Sequence, residues 1–88
     1  MELEPNNAKY HDCLSGTLYE MKRYEEALIE EQKAAELDQS NAEHHNTLGN
    51  LMYEMKRYKE SLVELRKAVD LDPDNARYHD HVGTVLHI

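Results

Sequence analysis

The sequence predicts an all-α fold, an α-α superhelix (solenoid) of antiparallel helix hairpins with five helices. The first observation is a 34-residue period at which the same or similar side chains return. Four series show it: Asn7, Asn41 and Asn75; Ala8, Ala42 and Ala76; His11, His45 and His79; and Leu14, Leu48 and Val82. The second observation is that residues 8–41 and 42–75 are identical at 17 of 34 positions. A period of this length is that of a helix-turn-helix unit, so function is expected on a binding surface.

The helices follow from apolar and small residues that recur three or four positions apart. The inward stripe of the first unit is Leu14, Leu18 and Met21, then Tyr24, Ala27, Leu28, Ala34 and Leu37. The predicted helices cover residues 8–21, 24–37, 42–55, 58–71 and 76–87. Asn7, Asn41 and Asn75 each precede an alanine-led helix, where an amide oxygen accepts bonds from unpaired backbone N–H groups.

The 88 residues are expected to form one small domain, residues 1–88, with limited stability. It divides into repeat 1 (8–41), repeat 2 (42–75) and a half repeat 3 (76–88) that contains a first helix only. Residues 2–7 resemble residues 70–75, which predicts that the chain begins on the tail of a preceding second helix.

Composition limits the classes of partner. A net charge of −8 argues against nucleic acid and anionic membranes, which are held mainly by clustered Lys and Arg, and it favours a polar or basic protein partner. The single cysteine, Cys13, has no partner for an internal disulfide. An apolar run long enough for a membrane span is absent and the acidic start is unlike a signal peptide, so the default expectation is a cytoplasmic protein.

The motifs of the units resemble the tetratricopeptide repeat, whose signature is Trp-x-x-Leu-Gly-x-x-Tyr, then Ala-x-x-x-Phe, then Ala and Pro. The matching segments are His11-x-x-Leu14-Ser15-x-x-Leu18, Ala27-x-x-x-Glu31 and Ala34; His45-x-x-Leu48-Gly49-x-x-Met52, Ser61-x-x-x-Leu65, Ala68 and Pro73; and His79-x-x-Val82-Gly83-x-x-Leu86. Two helices should approach closely at Ser15, Gly49 and Gly83, so a bulky residue there should splay the hairpin. The chain departs from the family where His replaces the large aromatic and where Glu31 replaces Phe.

The resemblance implies a concave groove lined by the first helices, which receives a peptide or helix from a partner protein. By this resemblance the groove residues are Lys9, Asp12, Gly16, Tyr19, Glu43, Asn46, Asn50, Tyr53, Arg77, Asp80, Thr84 and His87. Their spacing also places each set on one helical face. Family members that bind acidic chaperone tails use a clamp of Lys, Asn and Arg, but the matching positions here are Asp12, Gly16, Thr47, Arg77 and His81. Chaperone-tail binding is therefore not expected.

An alternative function is self-association through the last helix, where Tyr78, Val82, Val85 and Leu86 form a stripe wider than one neighbouring helix can cover. We expect no metal and no cofactor, because the six histidines include no same-helix pair four residues apart, and no Cys or carboxylate stands at an obvious ligand interval. We also expect no catalysis. Ser15 follows His11 by four residues, but it occupies the small position of the repeat and lacks an oxyanion-binding loop.

Overall fold

A computed structural model describes residues 7–87 of the chain. These residues contain five helices and no strand. The helices are α1 (Ala8–Glu20), α2 (Tyr24–Leu37), α3 (Ala42–Glu54), α4 (Tyr58–Leu71) and α5 (Ala76–Leu86). Each lies within one residue of its predicted bounds, so the predicted all-α solenoid is confirmed. The hairpins are α1 with α2 and α3 with α4, and contacts from α2 to α3 and from α4 to α5 join successive units. The predicted helix tail at residues 2–6 lies outside the described residues.

The asparagine caps start the first helix of every unit. The side-chain oxygen of Asn7 accepts the backbone N–H of Lys9 at 2.9 Å. Asn41 and Asn75 accept the N–H groups two residues later, both at 3.0 Å. These bonds satisfy donors that a helix leaves unpaired at its first turn, as the sequence predicts.

In each hairpin turn, the first helix ends tightly and one residue adopts the left-handed backbone conformation. Lys22 has φ 61° and Lys56 has φ 63°. The N–H of Lys56 donates to the carbonyl of Tyr53 at 3.0 Å, and that of Arg57 to the carbonyl of Met52 at 2.8 Å. This bond pattern usually has glycine at the left-handed position. The short turn sets α4 antiparallel to α3.

The core lies around the junction of the first two units. Its buried cluster contains Ala27, Leu28, Ala35, Leu48, Leu51 and Met52. Two members of the predicted inward stripe are wrong: Met21 is 55% exposed and Leu37 is 45% exposed. Met21 follows the last residue of α1 and Leu37 ends α2, so both lie at the end of the face that packs inward.

The small residues of each hairpin face one another, as predicted, in the first two units. Ser15 and Ser61 are fully buried, and the Ser61 hydroxyl donates to the carbonyl of Gly49 at 2.7 Å. A Cβ atom on Gly49 would lie 2.5 Å from Cγ of Leu65. The prediction is wrong at Gly83, where a Cβ would meet nothing within 4 Å. Gly83 occupies the same place in its unit, but in residues 7–87 no second helix follows α5 to press on it.

Candidate functional site

The first helices of the three units line an open cleft of about 330 Å³. Its walls come from α1, α3 and α5. The lining residues are Ser15, Gly16, Tyr19, Thr47, Asn50, Leu51, Tyr53, Glu54, His81, Thr84 and Val85. The surface therefore combines amides, hydroxyls and tyrosine rings with small residues that leave room above the helices.

Several residues of the predicted groove share this cleft. Tyr19, Asn50, Tyr53 and Thr84 line it, together with Gly16. In each unit the first-helix tyrosine packs against the tyrosine that begins the second helix. The ring centroid of Tyr19 lies 5.6 Å from that of Tyr24, and the centroid of Tyr53 lies 5.7 Å from that of Tyr58. Contacts of this kind between aromatic rings favour a fixed ring position, and both first-helix tyrosines line the cleft.

The structure places the other predicted groove residues differently. Asn46 is 3% exposed, and its Oδ1 lies 2.7 Å from Nδ1 of His81. The expectation of a free amide for a peptide backbone is therefore wrong at Asn46, because α5 covers it. Glu43 is also engaged with α5, accepting a bond from the guanidinium of Arg77 at 2.6 Å and one from the hydroxyl of Tyr78 at 2.7 Å.

The remaining predicted groove residues do not line the cleft. Lys9 and Asp80 are exposed at other points of the first helices, and His87 is exposed just after the end of α5. Asp12 faces the imidazole of His44, with Oδ1 3.5 Å from Nδ1. The cleft is thus lined by part of the predicted set, and partner binding at this face stays a prediction.

The apolar stripe predicted on α5 is not a continuous surface. Tyr78 is 3% exposed and Val85 is 7% exposed, whereas Val82 is half-buried and Leu86 is 60% exposed. The prediction of a wide exposed stripe is wrong because α5 packs on both α3 and α4. Tyr78 and Val85 are thus unavailable to a second copy of the chain, and self-association through the stripe stays a prediction.

The histidines that replace the family's aromatic bind acids on the second helix. Nδ1 of His11 lies 2.7 Å from Oε1 of Glu30, and Nδ1 of His45 lies 3.0 Å from Oε1 of Glu64. Both pairs span 19 residues. The sequence reasoning missed this repeated pair, although a signal was present: the histidine and the glutamate both return after 34 residues. His79 has the carbonyl of Pro73 2.7 Å from Nε2.

The electrostatics of the cleft are weakly acidic. Glu54 contributes a carboxylate to its lining. Burial, and then the charge of Glu54, raises the pKa of the Tyr19 phenol above its ordinary value. Tyr19 is thus a neutral hydroxyl at neutral pH, and Glu54 supplies a negative charge beside it.

A second group of polar residues lies below the cleft, where the first two units meet. Glu31 is fully buried, and the imidazole of His44 and the carboxylate of Asp12 face it. Burial, and then the nearby carboxylate of Asp12, raises the pKa of Glu31 to about 10. The sequence reasoning saw no ligand interval among these residues, because the three stand on three different helices. A signal was nevertheless present in the sequence, because Glu31 is a charged residue at a position that is apolar in the repeat.

Comparisons with protein families and solved structures show which known proteins the chain resembles. Residues 49–87 match the family model of the TPR repeat. The TPR domain of Arabidopsis OM64 is similar over 94% of this chain and 69% of its own, with 26% identity and a TM-score of 0.86. The chain has the fold of a stack of about two and a half tetratricopeptide repeats.

Two further structures share the TPR fold at lower identity. MamA superposes with a TM-score of 0.92 and 18% identity, over 97% of this chain and 50% of its own. The first TPR of Spaghetti (RPAP3), solved with the HSP90 peptide SRMEEVD, superposes with a TM-score of 0.90 and 14% identity, over 96% of this chain and 67% of its own. A comparison with curated proteins gives no sequence match. Among residues 7–87, the helices lack the length and apolar character needed to cross a bilayer.

Proposed function

We propose that this TPR stack is a non-catalytic interaction module that binds a peptide or helix of a partner protein in the cleft between α1, α3 and α5. The observation that carries the proposal is the cleft itself, which is open and lined by tyrosine rings, Asn50 and Thr84. Amides bond a peptide backbone and tyrosines contact apolar or cationic side chains. The fold neighbour that binds a peptide supports the same class of function.

The proposed ligand is a neutral or basic segment of polypeptide. Glu54 gives the cleft a negative charge, and the net charge of the chain is −8. Peptides that carry Lys or Arg are attracted by both.

An acidic tail such as SRMEEVD, the ligand of the Spaghetti neighbour, fits this cleft poorly. At the clamp positions Gly16, Thr47 and His81 line the cleft, none of them a lysine or arginine, while the guanidinium of Arg77 is held by Glu43. Asp12 adds a further acid. A terminal carboxylate would therefore meet few fixed cations here.

The experiment compares three peptide libraries of equal length, one rich in Lys and Arg, one neutral and one rich in Asp and Glu. Binding is measured by fluorescence polarisation for the wild type, one double variant and two single charge variants. Asn50→Ala with Tyr53→Ala removes polar and aromatic contacts of the cleft. Glu54→Lys reverses its charge, and Glu36→Lys makes the same change of net charge at an exposed place on α2 outside the cleft.

The proposal expects the basic or neutral library to bind, and the Asn50/Tyr53 double variant to lose binding while keeping its helical circular dichroism. Glu54→Lys should weaken the basic peptides more than Glu36→Lys does. Preference for the acidic library would refute the ligand class. Undiminished binding by the double variant would refute the assignment of the cleft.

A further inference from the structure

Two departures from the repeat meet at one point in the fold. Glu31 stands where the second unit has Leu65, 34 residues later, and Leu65 is fully buried. His44 stands where the other units have tyrosine, at Tyr10 and Tyr78. Each change replaces an apolar or aromatic residue with a side chain that ligates metals. Their coincidence in space is not required by the packing, because the other units fill these positions with leucine or tyrosine.

A third potential ligand, the carboxylate of Asp12, lies beside Glu31 and His44. Nδ1 of His44 lies 3.5 Å from Oδ1 of Asp12 and 3.6 Å from Oε2 of Glu31. The candidate ligand atoms of the three residues all lie within 4.8 Å of one another. An ion that holds tetrahedral ligands at about 2.0–2.2 Å keeps those atoms about 3.3–3.6 Å apart. The two distances from His44 are already those of a ligated ion.

The atoms that face this point are buried with few protein partners. Glu31 is 0% exposed and His44 is 5% exposed. Within residues 7–87, Nδ1 of His44 and the two oxygens of an ionised Glu31 make no hydrogen bond. Only a protonated Glu31 can share a hydrogen bond with Asp12, and zinc would displace that proton. Buried polar atoms of this kind are uncommon and cost free energy, so each calls for an explanation such as a bound ion.

We propose that Asp12, Glu31 and His44 bind one zinc ion at the junction of α1, α2 and α3. An imidazole nitrogen with two carboxylate oxygens suits zinc better than magnesium or calcium, which prefer oxygen ligands throughout. Asp12 is 40% exposed in its side chain, so the fourth position of the ion is open to water.

Asp38 is a positioning residue for this site. Its Oδ2 lies 3.7 Å from Nε2 of His44, on the far side of the ring from Asp12 and Glu31. A carboxylate there favours a proton on Nε2 and leaves the lone pair of Nδ1 for the metal.

The ion would tie the first unit to the second. Asp12 and Glu31 belong to the two helices of the first hairpin, and His44 belongs to the first helix of the next. A ligand that binds only the folded chain stabilises it. Zinc should therefore raise the melting temperature, and it should do so through this junction.

The test is a calorimetric titration of chelator-treated protein with zinc chloride, repeated with cobalt chloride to record the visible absorption of the bound ion. Glu31→Leu and His44→Tyr substitute the residues that the other units carry at these places, so both variants are designed to fold. His79→Gln is the matched control, because it removes an exposed histidine and leaves the site intact.

The expected result is one zinc ion bound per chain. Glu31→Leu and His44→Tyr should each bind zinc about 10-fold to 100-fold more weakly than His79→Gln does. The cobalt absorption and the zinc-dependent rise in melting temperature should disappear in the same two variants. Absence of binding by the wild type would overturn the proposal. Retention of zinc by both site variants would also overturn it, since the ion would then sit on other histidines. If His44→Tyr failed to show helical circular dichroism, Glu31→Leu would decide alone.

Discussion

Gly49→Ala tests whether close packing of α3 on α4 determines the stability of the second hairpin. The added Cβ would lie 2.5 Å from Cγ and 2.6 Å from Cδ2 of Leu65, and 3.2 Å from the backbone oxygen of Ser61. Carbon atoms in contact normally lie about 3.5–4.0 Å apart, so a shift of about 1 Å is needed. Leu65 is fully buried, so any shift of its side chain must be accommodated inside the core.

The expected magnitude is a balance of two terms. Overpacking costs about 1–3 kcal/mol. Replacing glycine by alanine inside a helix returns about 0.8–1.0 kcal/mol. Because a backbone atom as well as a buried side chain opposes the new methyl group, we expect a net loss of stability of about 1–2 kcal/mol for Gly49→Ala.

Gly83→Ala is the matched control. Gly83 stands 34 residues later in the same place of its unit, within α5, and a Cβ there meets nothing within 4 Å. Its substitution should gain up to about 1 kcal/mol from helix propensity alone. The assay is urea unfolding followed by circular dichroism, with both variants measured beside the wild type. Equal shifts of both variants in the same direction would refute the close-contact reasoning.

Two further predictions concern single hydrogen bonds, each measured by urea unfolding against a second variant whose hydroxyl is expected to contribute less. Ser61→Ala should cost about 1 kcal/mol because its buried hydroxyl donates to a backbone carbonyl, whereas Ser15→Ala should be nearly neutral because that buried hydroxyl has no partner in residues 7–87; a larger loss at Ser15 would contradict this. Tyr78→Phe should cost about 1 kcal/mol through loss of the 2.7 Å bond to Glu43, and Tyr10→Phe, at the same place in the first unit, should cost less. Equal losses for the two phenylalanine variants would show that the bond contributes nothing.

The 34-residue period predicts burial well wherever equivalent residues have equivalent neighbours. Ala27 and Ser61 face the first helix in their two units, and both are fully buried. The caps at Asn41 and Asn75 behave alike for the same reason. The period is misleading at Gly83, because residues 7–87 include no second helix of its unit to press on it.

Contacts between units are harder to read from the sequence. The bond between Asn46 and His81 joins positions 35 residues apart, which are not equivalent in the repeat. A comparison of equivalent positions shows that Asn46 lies on the inner face of α3, but it does not show that α5 covers it. The same holds for Asp12, Glu31 and His44, whose side chains meet only after three helices have packed.

The two junctions of the stack differ in how their buried polar groups are satisfied. Between the second and third units, Asn46 meets His81 and Glu43 accepts two bonds from α5. Between the first and second units, an ionised Glu31 and Nδ1 of His44 lack hydrogen-bond partners among the described residues. In a repeat protein each unit contacts only its neighbours, so stability is approximately a sum of unit and junction terms. A ligand in the cleft would span both junctions, whereas an ion between Glu31 and His44 would act on the first alone. The apolar core already joins the first two units, so the ion would add to that contact by satisfying buried polar groups. It would hold α1 against α3 and set the spacing of the cleft walls that they share.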